Sequence, residues 1–165
     1  MAMRPIPLAS RTAEGVSAPF SSERLMNMFA EPPEWIPYLP KPGKYSHPKY
    51  GTLTITKKRA KAFVDNFTNA VYQDRLPIDA EHQTKLSGAL GWITDMRVND
   101  DGSADAKVDW TKRGTQLIEG EQFKYFSPEW FESWNDPATG DLHKDVAIGG
   151  ALTTRWGIFR ALWLL

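Results

Sequence analysis

The chain has no cysteine, so covalent chemistry falls to oxygen or nitrogen nucleophiles, and disulfide frameworks and cysteine-ligated zinc are excluded. A serine hydroxyl needs a neighbouring base to take its proton, and histidine, which titrates near neutrality, is the usual one. Three histidines are available, His47, His82 and His143. His47 lies in a proline-rich stretch, where a histidine is most often surface. His82 closes the segment Pro77-Ile78-Asp79-Ala80-Glu81-His82-Gln83. Its alternation predicts a strand that turns His82 to the apolar side, beside acidic residues able to hold the ring and raise its basicity. Ser127, in Lys124-Tyr125-Phe126-Ser127-Pro128-Glu129-Trp130, is a small hydroxyl among aromatics whose backbone is restricted by the proline that follows. Taken singly, each has an ordinary structural reading: an inward histidine is commonly a hydrogen-bonded core residue, and a serine before proline a turn residue. Together they are candidates for a Ser/His hydrolase. No Gly-x-Ser-x-Gly elbow, Gly-rich phosphate loop or His-Glu-x-x-His pair is present.

The elements that must position these residues follow from periodicity. Prolines at 37, 40, 42 and 48 beside Gly43 permit only short extended pieces between Trp35 and Tyr50. After Thr56, a candidate N-cap, Ala60, Phe63, Val64, Phe67, Ala70 and Val71 recur at three- and four-residue spacing and predict a helix with one apolar stripe. Leu90 to Val98 and Ala104 to Trp110, joined by Asn99-Asp100-Asp101-Gly102, predict a β-hairpin, and Thr111 a short helix to about Glu119. From Phe123 to Trp134 the alternation puts Tyr125, Ser127, Glu129 and Phe131 on one face, with Phe126, Pro128, Trp130 and Trp134 on the other. Pro128 implies an edge, an end or a bulge beside Ser127. Residues 135–141 are a turn by composition, and Leu142 to Thr154 reads as one or two strands broken at Gly149 and Gly150.

At 165 residues, 41% apolar and with seven tryptophans, the chain suits one domain with a substantial core. Twenty Lys+Arg balance twenty Asp+Glu without a basic run, which argues against nucleic acid as a partner. The first thirty residues carry no unbroken apolar stretch of the secretory kind, and the apolar tail from Trp156 to Leu165 is too short to span a bilayer. The fold class expected is α+β and β-rich, a small barrel or sandwich with one or two helices. The boundaries expected are a flexible arm over residues 1–34, a folded domain over 35–155 and an apolar tail over 156–165.

In order, Glu34-Trp35 with its prolines, the helix, Leu76 to Gln83, Gly88-Ala89-Leu90-Gly91-Trp92-Ile93, Asp109-Trp110-Thr111 with Gly114, Tyr125-Phe126-Ser127-Pro128-Glu129 and Gly150-Ala151-Leu152-Thr153 resemble the Mu-like prophage I protein family. The resemblance runs from about Trp35 to Thr153. It implies a capsid-maturation serine endopeptidase with an assemblin-like β-barrel. Such an enzyme acts inside the assembling prohead, in the bacterial host cytoplasm, on the phage scaffold and major capsid proteins, with no cofactor, metal, nucleic acid or membrane. The family's serine falls on Ser127 and its histidine on His82. For the third member Asp79 is favoured, for its short side chain and nearby position, with Glu81, Glu129 and His143 as alternatives. Gly149, Gly150 or the segment at Arg155 would supply the oxyanion donors. After Thr153 the chain departs from the family's usual Asn-Pro continuation and reads Thr154-Arg155-Trp156-Gly157, the pattern expected of a truncated, frameshifted or domesticated prophage copy. That departure keeps open an inactive assembly or scaffold protein with the same fold, and self-association through the apolar tail. A third class, a metal-dependent hydrolase using Asp79 and His82, is disfavoured because three-residue spacing in a strand sends the two side chains to opposite faces.

Overall fold

Residues 2–3, 31–48, 50–157 and 159 are described in the computed structural model, so most of the expected arm and tail lies outside the described residues. The elements are β1 (Ala2–Met3), β2 (Trp35–Leu39), β3 (Gly43–His47), β4 (Gly51–Ile55), α1 (Lys57–Thr68), β5 (Leu76–Ala80), α2 (Thr84–Ser87), β6 (Gly91–Val98), β7 (Ala104–Trp110), α3 (Lys112–Glu119), β8 (Tyr125–Asn135) and β9 (Leu142–Thr153). The class is α+β and β-rich. One seven-stranded sheet, ordered β1-β8-β9-β5-β6-β7-β2, curls into a half-barrel, and β3 and β4 form a separate hairpin. Among the described residues three helices stand where one or two were expected. The extra one, α2, is a single turn with no apolar stripe to announce it.

The strongest periodicities form as expected. The Thr56 hydroxyl accepts the Arg59 amide at 3.0 Å and starts α1, which buries Ala60 and Phe63. The helix ends at Thr68, before Ala70 and Val71 can join the stripe, and Ala70 turns left-handed at φ 51°. The β6–β7 hairpin closes on Asn99, whose amide donates to the Ser103 carbonyl at 2.8 Å, with Gly102 left-handed at φ 83°. Thr111 caps α3 by accepting the Gly114 amide at 3.0 Å. At Gly114 a Cβ would sit 1.9 Å from the Leu90 carbonyl oxygen, so only glycine lets α3 approach that closely.

β9 is the central strand of the site region. It runs antiparallel to β8 and parallel to β5, and it is unbroken through Gly149 and Gly150. Those glycines serve close approach rather than a break. A Cβ on Gly149 would lie 2.3 Å from the Pro77 carbonyl oxygen, and one on Gly150 2.4 Å from the Phe126 ring. β8 pairs on its outer side with β1 only at Phe131 and Trp130, so Pro128, which lacks an amide proton, faces no described strand there. The bulge falls one residue later, between Glu129 and Trp130.

The core lies on the face that carries Phe126 and Trp130, both fully buried. Phe63 of α1 meets the Trp130 ring edge-on at 5.5 Å, and Phe159 stacks on the other side at 6.0 Å, itself met edge-on by Tyr45 at 5.3 Å. Phe159, which belongs to the expected tail, is fully buried. Curling also brings edge strand β2 back to the opposite side of the sheet. The buried Tyr38 hydroxyl donates to the carbonyls of Glu129 at 2.9 Å and Gly149 at 2.8 Å.

Candidate active site

Ser127 sits on the face of β8 opposite to the core aromatics. Its register partner on β9 is Ala151, and the partner of Ala151 on β5 is Asp79. Partnered residues project to one side of a sheet, so Ser127, Ala151 and Asp79 form a row, with the outer two about 10 Å apart by strand spacing. All three are buried, Ser127 at 2% exposure and Asp79 at 4%. Glu129, two residues beyond Ser127, projects from the same face.

The imidazole reaches this row from a turn and not from a strand. β5 ends at Ala80, and Glu81 and His82 take left-handed backbone angles, φ 53° and 58°. The expected strand through His82 is therefore corrected: Pro77 to Ala80 alternates, but the next two residues fold back over the row. Two left-handed non-glycine residues together cost about 2–4 kcal/mol, which surrounding contacts must offset. The Glu81 amide donates to the Leu152 carbonyl at 3.0 Å, and the Gln83 amide to the Ala80 carbonyl at 3.0 Å. The Glu81 carboxylate accepts from the Thr154 amide at 2.9 Å and the Thr154 hydroxyl at 3.0 Å. Glu81 thus clamps the turn to the end of β9 and points away from the ring.

Held so, His82 joins two residues of β8. Nε2 lies 3.0 Å from the Ser127 hydroxyl oxygen, and Nδ1 lies 2.9 Å from Oε2 of Glu129. An ionised carboxylate can only accept, so Nδ1 carries the proton and Nε2 is left to accept from the serine hydroxyl. The ring is largely shielded, with the His82 side chain 11% exposed and that of Glu129 22%. This is the nucleophile, base and orienting acid arrangement of serine hydrolases, built on two elements.

The place expected for Asp79 is occupied by Glu129. The Asp79 carboxylate accepts instead from the Thr84 hydroxyl through Oδ2, and its Oδ1 has no hydrogen-bond partner among the described residues. Burial pushes its pKa up, opposed by the Thr84 hydrogen bond and the nearby His82. His143 pairs with Trp134 at the far end of the β8–β9 hairpin, and the His47 ring packs near Tyr50 at 5.0 Å. Of the expected oxyanion donors, Gly149 and Gly150 are ladder residues inside β9, whereas Arg155 follows the end of that ladder. Among the described residues no three His, Asp or Glu converge to hold a metal ion, and no helix is long and apolar enough to cross a membrane.

Residues 38–148, about two thirds of the chain, match the model of the Mu-like prophage I protein, N-terminal domain. The chain belongs to that family. No curated protein and no solved structure matches it. The matched segment of this Mu-like prophage I protein relative contains Tyr38, Asp79, His82, Ser127 and Glu129, and ends before the Gly150-Ala151-Leu152-Thr153 block.

One member of the site was legible only as an alternative. Glu129 shares the predicted face of Ser127, and that two-residue spacing was the available signal for it. The roles of Tyr38 and Glu81 had no local signal, because each acts through a contact more than seventy residues away in sequence.

Proposed function

We propose that this chain is a serine endopeptidase of phage capsid maturation, cutting scaffold and major capsid proteins inside the assembling prohead in the host cytoplasm. The observation that carries the reading is the continuous contact from Ser127 through His82 to Glu129, at 3.0 and 2.9 Å. In the reaction Ser127 Oγ attacks the scissile carbonyl while Nε2 of His82 takes its proton. The imidazolium so formed is stabilised by Glu129 and gives the proton to the leaving amine. Water, deprotonated by the same ring, then hydrolyses the acyl-enzyme ester and frees Ser127. Partly shielded from solvent, the carboxylate–imidazole contact acts in a lower effective dielectric than water and holds one tautomer ready.

The test is incubation of the purified chain, Ser127→Ala and His82→Ala with the scaffold and major capsid proteins of a Mu-like phage, with folding followed by circular dichroism. Cleavage by the wild type, lost in both folded variants, is the expected result. A folded wild type that binds these proteins and leaves them intact would instead establish the assembly-protein reading, which rests on the divergent Thr154-Arg155-Trp156-Gly157 continuation.

A further inference from the structure

Beside the triad lies a half-enclosed cavity of about 250 Å³, lined by Tyr72, Pro77, Asp79, Thr84, Glu129 and Ile148 among others. Two carboxylates line it and no basic residue does. The two differ in what they have left to offer. Oε2 of Glu129 is occupied by His82, whereas Oδ1 of Asp79 is buried without a partner. A buried carboxylate is costly unless its oxygens are paired, and the Thr84 hydroxyl and the His82 backbone amide supply only part of what Asp79 can accept. The register row places the Asp79 backbone about 10 Å from that of Ser127, two strands across, with the small Ala151 between them.

We propose that this cavity is a substrate subsite that takes a lysine or arginine side chain of the cleaved protein, with Asp79 as the residue that selects it. The proposal rests on the endopeptidase reading and adds to it a specificity. Tyr72, Pro77 and Ile148 offer apolar wall to the aliphatic stem of such a side chain, whose cationic head then meets Asp79. The volume fits one long side chain. An apolar side chain in the same place would leave Oδ1 unpaired, and an acidic one would meet two carboxylates at close range. Asp79, which sequence reasoning favoured as the orienting acid, thus acts on the substrate side of the site.

Two readouts keep this separable from the endopeptidase reading. In the first, wild type and Asp79→Asn cleave a random peptide library analysed by mass spectrometry. Lys or Arg should be enriched at least about tenfold at one fixed position near the cut bond. In Asp79→Asn that enrichment should vanish, so that Lys, Arg and Gln at that position are found equally often among the cleaved peptides. In the second, butylguanidinium is titrated into folded Ser127→Ala protein and followed by amide NMR, with saturable shifts expected around Gln73, Asp79 and Thr84 and lost when Asn replaces Asp79. Cleavage with no basic preference, together with no saturable shift, overturns the subsite and leaves the endopeptidase standing. Butylguanidinium binding without cleavage of any library peptide supports the subsite and sinks the protease. A basic preference that persists in Asp79→Asn removes Asp79 from the role.

Discussion

At the scale of single residues, the carboxylate that faces the imidazole decides which acid can orient it. Glu129 faces it, so Glu129→Gln should leave the fold intact and lower kcat by about three to four orders of magnitude, as loss of the tautomer-fixing acid does elsewhere. Single-turnover kinetics on a peptide that the wild type cleaves would check this, and a loss under tenfold would remove Glu129 from the proposed triad. Asp79 makes a different prediction. Its folded pKa is raised by burial, so stability from this group is fully present below the ordinary carboxylate pKa and is lost as pH rises through the raised folded value. Asp79→Asn, which can still accept from Thr84, should therefore match the wild type in acid and become relatively more stable toward neutral pH. Urea unfolding across that range measures the difference, and a constant offset would contradict the burial argument. Ser127 and His82 could be singled out because the chain has only three histidines and because the resemblance to the Mu-like prophage I protein family puts its serine and histidine at these positions. The choice between Asp79 and Glu129 was not, since it depends on where the chain turns after Ala80.

At the scale of elements, the site is a strand pair and a turn held in register by distant contacts. Tyr38 of β2 ties the carbonyls of Glu129 and Gly149, register partners on β8 and β9 at the edge of the bulge. Tyr38→Phe leaves two carbonyls without their donor and should cost about 1–3 kcal/mol in chemical denaturation. It should also reduce kcat while leaving KM nearly unchanged, because the bulge and not the substrate surface is disturbed. Unchanged kcat in a destabilised variant would show that Tyr38 only supports the fold. Strands and helices with sustained period were readable, among them α1, the β6–β7 hairpin and the alternation of β8. The left-handed pair Glu81 and His82 was not, because no local propensity favours that backbone in either residue. Tertiary bonds from Glu81 to Leu152 and Thr154 impose it.

At the scale of the molecule, one curled sheet presents two faces with different tasks. The inner one packs α1, Trp130 and Phe159 into the core, while the outer one carries the row from Ser127 to Asp79 beneath the His82 turn. Phe159 fills the space between Trp130 and Tyr45, so Phe159→Ala should destabilise by about 3–5 kcal/mol, the range for emptying a buried aromatic site. A loss below 1 kcal/mol in thermal or urea unfolding would mean that the core does not need it. The β-rich class was legible from the number of short alternating runs. The burial of Phe159 was hidden because a ten-residue apolar tail has no period from which to tell packing from exposure.

The central claim is that Ser127 is a nucleophile activated by His82, and labelling with a fluorophosphonate, read by intact mass and peptide mapping, tests it without any knowledge of the substrate. The account predicts one adduct per chain, on Ser127, slowed by at least about a thousandfold in folded His82→Ala. Absence of an adduct at Ser127 in the folded wild type, or labelling equally fast without His82, would contradict it.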